Sequence, residues 1–333
     1  MNPSHMMLQD IVVVTFNYRL GTLGYLNLGT PDVPGNAGFK DQVLALHWVR
    51  RNIENFGGNP KDITLMGYSA GALSVQLHLM SELSKDLFHR AIIMSGSIAP
   101  QLYLPYGQQK YLAVRQAKRL KCAKFINIPE EVPYGKHQLF SNYEDIPNED
   151  LIECLNSFNG SVIAHSLRQM FDYPKDNPIW LWLPIIERDF KQQRFLMPTI
   201  KVASKPILLG YANGELCTSA KEILEDVKKS MEIGENFNMF TPRALLYERH
   251  PQRDLISSRL RQKYFNGSRE LLPKDHDALC DLFSDGLLRF GLHKFAEFMA
   301  QNKASVYFYE FNFVDDITRQ QMDAKFPDKQ GKS

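Results

Sequence analysis

Apolar residues recur along the first hundred positions in two alternating periods. Ile11 to Tyr18 is a β-branched and aromatic run bounded by Asp10 and by Gly21 and Gly24, which predicts a strand leading into a glycine- and proline-rich loop through Asn36. From Phe39 to Phe56 the apolar residues Val43, Leu46, Val49, Ile53 and Phe56 return every three or four positions, the period of a helix laid on a sheet, and Gly57 and Gly58 stop it. Ile63, Leu65 and Met66 make a short run of the buried parallel-strand type. Ala70, Gly71 and Ala72 then open a helix of small residues, and Ala91 to Met94 is the next strand.

Beyond Met94 the alternation lapses. A helix is expected from Gln108 to Leu120, a proline-punctuated loop from Ile128 to Pro147, a helix with Asn148 as its cap, and irregular chain to Phe190. Residues 101–190 therefore read as an insertion that caps a site. Order returns with a strand at Lys205 to Tyr211, a charged helical stretch from Lys221 to Lys229 and a loop-and-helix segment from Thr241. An amphipathic helix around Asp285 to Gln301 and an aromatic strand at Ser305 to Phe313 follow. Strands separated by helices define an α/β fold with a mostly parallel sheet and helices on both faces.

Composition narrows the function classes. The 333 residues, 44% hydrophobic, suffice for one large α/β domain, and 39 basic against 37 acidic residues give no electrostatic case for a nucleic-acid partner. No apolar run approaches the roughly eighteen residues of a membrane span, and the first ten residues lack the basic and apolar regions of a signal peptide. Cys122, Cys154, Cys217 and Cys280 match no zinc or redox spacing, so no metal or cofactor is expected and buried free thiols are the default reading. The triplets Asn159-Gly160-Ser161 and Asn266-Gly267-Ser268 are about as many glycan acceptors as chance supplies.

The chemistry concentrates in Gly67-Tyr68-Ser69-Ala70-Gly71, a G-x-S-x-G nucleophile elbow placed between a strand and a helix. Ser69 is the candidate nucleophile. Glycines two before and two after it are expected because a side chain at either place would clash across the tight turn. The N–H of Ala70, the residue after the nucleophile, is the candidate oxyanion donor.

Asn17-Tyr18-Arg19-Leu20-Gly21, Gly35-Asn36-Ala37-Gly38, Lys40-Asp41-Gln42, Trp48-Val49, Asn55-Phe56-Gly57-Gly58 and the elbow together resemble the type-B carboxylesterases, which share the α/β-hydrolase fold with the cholinesterases. The likeness is dense from Asp10 to Ser97 and continues in islands at Trp182 to Glu187, Pro206 to Glu215, Ser284-Asp285 and Val306 to Phe311. It implies a partial α/β-hydrolase domain over residues 1–333 and hydrolysis of small-molecule carboxylic esters through an acyl-enzyme, without a cofactor. It also implies a triad in the chain order serine, acid, histidine. Gly210 to Glu215 keeps the family's glycine-to-glutamate spacing, so Glu215 is the implied acid, which accepts the imidazole N–H and stabilises the imidazolium. Ala212, Leu216 and Tyr68 depart from the family's usual threonine, glycine and glutamate. Cys122 and Cys154 resemble a cap-region pair of some secreted members, bridged in an oxidising compartment and free in a cytosol. Cys217 reads as a buried thiol, and Ser97 as a structural serine.

Two further parts are implied, a histidine after the last strand and an H-G-G-G-type oxyanion loop before the first. Residues 305–333 hold no histidine, and His293 falls inside the helix pattern before the last strand. The expectation is an incomplete fold with negligible ester turnover by these residues alone, in which Ile11 to Tyr18 either pairs with the elbow strand or docks loosely and an open central edge invites aggregation. A non-catalytic, cholinesterase-like adhesion or binding protein is the alternative; the presence of both Ser69 and Glu215 favours the enzyme.

Overall fold

The computed structural model describes residues 6–98, 106–127, 143, 145–167, 170, 181–187, 194–195, 202–245, 247 and 250–313. Four strands, β1 (Thr64–Tyr68), β2 (Arg90–Met94), β3 (Ile207–Ala212) and β4 (Val306–Phe311), form one fully parallel sheet in the order β1-β2-β3-β4. All four fall on the apolar runs that predict them. Leu65, Ala91, Ile93, Ile207, Leu209 and Tyr211 share a core with Phe39, Val43 and Leu46 of the Ala37–Asn52 helix and with Leu292, Phe295 and Met299 of the Phe290–Gln301 helix. The helical residues in that set sit three or four apart, so one stripe of each helix is buried. Phe39 stacks on Phe195 with ring centroids 4.8 Å apart, and burying such a ring contributes about 2 to 3 kcal/mol.

The Ala70–Met80 helix is buried at every position from Ala72 to Leu79, as suits a helix inside the core rather than on it. Its polar residues therefore need partners. His78 is buried, with Nε2 2.7 Å from Gln42 Oε1 and Nδ1 2.7 Å from the Ser84 hydroxyl, so Nε2–H donates to the amide and Nδ1 accepts from the serine. Burial lowers the imidazole pKa to about 3. Gln76 donates to the Gly96 carbonyl at 2.7 Å and accepts from the Ile98 N–H at 3.1 Å, holding the loop after β2 against the same helix.

Among the described residues, five α-helices between β3 and the Phe290–Gln301 helix gather around a second core containing Phe237, Phe240, Phe265, Leu279 and Phe283. Within residues 101–190, the described helices Tyr106–Arg119 and Asn148–Asn156 pack around Ala113, Val114, Leu151 and Leu28, and the Gly160–Leu167 helix lies beside the first of them. Gln116 ties them inward, accepting from Thr22 at 2.6 Å and donating to the Ile163 carbonyl at 3.0 Å. Trp182 packs against this core and against a smaller cluster of Leu112, Met170 and Leu181; Trp180 and most of the loop from Ile128 to Pro147 lie outside the described residues.

Several expectations are corrected. Ile11 to Tyr18 forms no strand pairing, and Ile11, Val12, Val14 and Phe16 are 44, 42, 38 and 37% exposed. Strand propensity measures fit to a pleated, half-buried surface, and no neighbouring strand among the described residues supplies one here. Pro147, not Asn148, is the cap of its helix; Asn148 is the first helical residue and donates its amide to the Leu28 carbonyl at 3.2 Å. The four cysteines are not free thiols: Cys122 pairs with Cys154 and Cys217 with Cys280, at Cα separations of 6.0 and 4.5 Å. The second pair overturns the reading of Cys217 as a buried thiol, because packing of the Cys217–Glu225 helix on the His276–Ser284 helix creates a proximity that spacing does not encode.

Candidate active site

The site is built at the carboxyl ends of β1, β2 and β3, where open parallel sheets bind their ligands. The chain leaves β1 at Ser69 with φ 54° and ψ −119°, a positive φ outside the left-handed helical well that costs of order 1 to 3 kcal/mol. Three backbone contacts hold it there: Ser69 N–H donates to the Met94 carbonyl at 2.9 Å, Leu73 N–H donates back to the Ser69 carbonyl at 3.1 Å, and Gly96 lies against the turn. A methyl group on Gly67 would stand 2.2 Å from the Gly71 carbonyl oxygen, and one on Gly96 would stand 2.1 Å from the Ser69 carbonyl oxygen. Gly71 is different, because a methyl group there would meet nothing within 4 Å. The expected clash two residues after the serine is thus absent among the described residues; the second constrained glycine is Gly96, which the motif does not name. Ala70 opens the helix, so its N–H has no intrahelical acceptor.

Glu215 follows β3 in a tight loop with Gly214 at φ 78° and Leu216 at φ 63°. Its Oε1 accepts from the Ala212 N–H at 2.8 Å and from the Ser95 hydroxyl; no hydrogen bond to Oε2 occurs among the described residues. Ser95, itself at φ 53°, also donates its N–H to the Gly210 carbonyl at 2.8 Å. It therefore joins the end of β2, on which Ser69 rests, to the carboxylate loop after β3. A serine followed by glycine at a strand end carries no signature of that role, and sequence reasoning missed it.

The Glu215 loop is tied at alternate residues to one helical column. Cys217 is bridged to Cys280, the Glu215 carbonyl accepts from the Ser284 hydroxyl, and Asn213 Oδ1 accepts from Arg289 at 3.0 Å. The column's steps are four and then five residues long because the His276–Ser284 helix runs into a π-helical turn at Asp285–Arg289. Asp285 fixes that turn, accepting from Tyr264 at 2.6 Å and pairing with Arg289 at 2.9 Å. These hydrogen bonds and the nearby guanidinium outweigh partial burial and hold its carboxyl below the ordinary carboxylate range. Ser284 and Asp285, one of the islands, are both part of this scaffold.

The early islands hold one another. Arg19 donates from its backbone N–H at 3.0 Å and from Nε and Nη2 at 2.7 Å to Asp41, while its carbonyl leaves no room for a Cβ at Gly24 or Gly38. Asn36, in the left-handed conformation at φ 56°, donates to the Ile185 carbonyl at 2.7 Å and to Glu187 Oε2 at 3.0 Å and accepts from the Ile185 N–H at 3.1 Å. Glu187 is buried and pairs with Lys40 at 2.5 Å.

The structure brings Ser69, Ala70 and Glu215 to one end of the sheet. No described histidine hydrogen-bonds to Ser69 or Glu215. His78 is committed to Gln42 and Ser84, His89 accepts from the Ile63 N–H at 3.0 Å, and His293 stacks on Phe308 at 4.5 Å. Ser97 is buried against Gly291, where a Cβ would stand 1.7 Å from its hydroxyl. No group of three or more His, Cys, Asp or Glu suited to a metal ion occurs among the described residues.

A parallel α/β sheet that presents a serine on a strained strand-to-helix turn and a glutamate beyond a neighbouring strand has the architecture of an α/β-hydrolase. The carboxylesterase family profile matches residues 1–331, and the chain belongs to that family. It is 30% identical to juvenile hormone esterase of Heliothis virescens over 313 residues, 93% of this chain and 52% of the relative. To esterase FE4 of Myzus persicae it is 32% identical over 312 residues, 91% of this chain and 51% of the relative. A crystal structure of juvenile hormone esterase from Manduca sexta, with OTFP covalently attached, matches with a TM-score of 0.69 at 25% identity, covering 96% of this chain and 57% of that one. The chain spans about half the length of the curated relatives it matches.

Proposed function

We propose that the chain carries the nucleophile and the acid of a serine carboxylesterase acting on small-molecule carboxylic esters. In this reading Ser69 Oγ attacks the ester carbonyl, the alcohol departs, and water hydrolyses the acyl-enzyme. The N–H of Ala70 contributes one donor to the oxyanion, and Glu215, through Oε2, accepts an imidazole N–H and fixes that ring's tautomer. The observation that carries this is the Ser95 hydrogen bond to Glu215, which locks the candidate acid to the strand end supporting Ser69. The relative with a covalently attached ligand is consistent with chemistry through a covalent intermediate. No helix among the described residues is long and apolar enough to cross a membrane. The insertion over residues 101–190 is proposed as the cap that shapes acyl and alcohol preference.

The 333 residues by themselves are proposed not to turn over esters. A serine without a base stays a poor nucleophile, and each missing oxyanion donor costs about 3 to 4 kcal/mol of transition-state stabilisation. The test is labelling with a fluorophosphonate alongside aryl-ester hydrolysis. It compares these residues, their Ser69→Ala variant, and a longer polypeptide in which they are joined to a histidine-bearing segment and a glycine-rich loop. Labelling and turnover only in the longer polypeptide, lost in Ser69→Ala and in Glu215→Gln, support the reading. Steady turnover by the 333 residues that Ser69→Ala abolishes would sink the inactivity. Silence of the longer polypeptide would favour a non-catalytic binding protein.

A further inference from the structure

We propose that Asn266 carries an N-linked oligosaccharide, acquired in the oxidising secretory lumen where both disulfides form. The inference is independent of the esterase reading. It begins with the cysteines: all four are paired, one bridge inside the insertion and one across the second helical core. Disulfides form and persist in oxidising compartments and are rare where glutathione keeps thiols reduced. The same lumen holds the machinery that glycosylates Asn-x-Ser triplets.

Of the two triplets, the structure separates one from the other. Asn159 is exposed, but its Oδ1 accepts from the Val162 N–H at 2.9 Å to cap the Gly160–Leu167 helix, and Ser161 already lies inside that helix. Asn266 ends the Arg253–Phe265 helix at φ 50°, is exposed, and no described residue hydrogen-bonds its side-chain amide. Asparagine tolerates this left-handed conformation better than most residues, and Gly267 continues it at φ 80°. The turn is held by the Asn266 backbone, whose N–H donates to the Arg261 carbonyl, and from below, not by the Asn266 side chain. Phe265 is buried, and the Arg261 guanidinium donates to the Ser268 carbonyl at 3.0 Å and the Gly234 carbonyl at 2.9 Å while lying 4.6 Å from the Phe237 ring. A sugar on Asn266 therefore displaces no packed group.

The folded turn also fixes when the transfer occurs. The Ser268 hydroxyl donates to the Glu270 carbonyl at 2.9 Å and accepts from its N–H at 3.1 Å, so the hydroxyl that the triplet must offer is occupied once the turn closes. The modification precedes closure. In the transfer, Nδ2 of Asn266 bonds to C1 of the reducing-end sugar of a polyisoprenyl diphosphate oligosaccharide. The C1–O bond to the diphosphate breaks, the lipid diphosphate leaves, and the amide proton passes to a carboxylate of the transferase; nothing is oxidised or reduced.

The experiment is expression of the full chain behind a cleavable signal peptide in a secreting eukaryotic cell, followed by peptide N-glycosidase digestion in heavy-oxygen water. Mass spectrometry is expected to find Asn266 converted to labelled aspartate and no alkylatable thiol before reduction. The gel shift assigned to this site is expected to vanish in Asn266→Asp and in Ser268→Ala. The second variant keeps Asn266, and Ser268→Thr, which retains the hydroxyl, is expected to keep the gel shift, so a folding defect in the first does not decide the matter. An Asn266 recovered as unmodified amide, or a glycan on Asn159 in its place, overturns the proposal. Secreted chain with free alkylatable cysteines overturns the compartment argument, and modification of the already folded, unglycosylated chain overturns the order of events.

Discussion

At Gly67 and Gly96 the obstacle to a side chain is backbone, which cannot swing aside. Gly67→Ala and Gly96→Ala are each expected to cost about 2 kcal/mol or more and to shift Ser69, read as a lower urea midpoint. Gly71→Ala is expected to be neutral or to stabilise by up to about 1 kcal/mol, because its Cβ enters open space and alanine is the better helix former. Equal losses at 67 and 71 would show that the turn is symmetric after all. His78 makes a prediction about pH. Its folded-state pKa of about 3 lies below the ordinary 6.5, so the unfolded chain takes up the proton first. The stability tied to the neutral ring is complete above 6.5 and drains as pH falls from there toward 3, by up to about 1.4 kcal/mol per pH unit. The check is the urea midpoint across that window against a His78→Gln variant. A variant with the same slope as the parent would mean other groups carry the acid sensitivity.

Among the elements, the tied loop around Glu215 makes the sharpest prediction. Ala212 N–H donates to the carboxylate, so its hydrogen exchange reports where Glu215 sits. Replacing the bridge by Cys217→Ser and Cys280→Ser is expected to speed that exchange by about tenfold or more, corresponding to roughly 1.4 kcal/mol of lost local restraint. Unchanged exchange would mean that the Ser284 and Arg289 contacts hold the loop alone. This scaffold was not legible in the sequence. Ser69 could be read because the elbow motif is local, and Glu215 because its distance from Gly210 is short and fixed. The contacts made by Ser95, Cys280, Ser284 and Arg289 join segments far apart in the chain, and a π-helical step of five has no apolar period to announce it. Ile11 to Tyr18 shows the opposite failure: a strong local signal for a strand whose partner the local pattern could not supply.

On the scale of the whole molecule, the sheet has an unpartnered edge among the described residues at β1 and a second edge at β4, where Tyr307 is 63% exposed and Phe311 55%. Exposed apolar edges template pairing with another chain. The 333 residues are therefore expected to self-associate in sedimentation velocity runs, and Thr64→Lys on β1 with Tyr307→Lys on β4 to shift the distribution toward monomer; a monomeric parent would show that these edges are benign. The parallel character of the sheet and the positions of the family islands were readable at this scale, but which islands touch was not, since Asn36 and Glu187 lie 151 residues apart. That clamp has a consequence for synthesis. At about 5 to 20 residues per second, a ribosome needs roughly eight to thirty seconds after making Asn36 before Glu187 exists to receive it. During that wait the elbow and its helix are already made, yet Asn36 and Lys40 lack the carboxylate that anchors them. The nascent chain thus passes through a dated interval in which a buried charge site stands half built, and slow or paused translation between these positions would lengthen its exposure to chaperones and proteases.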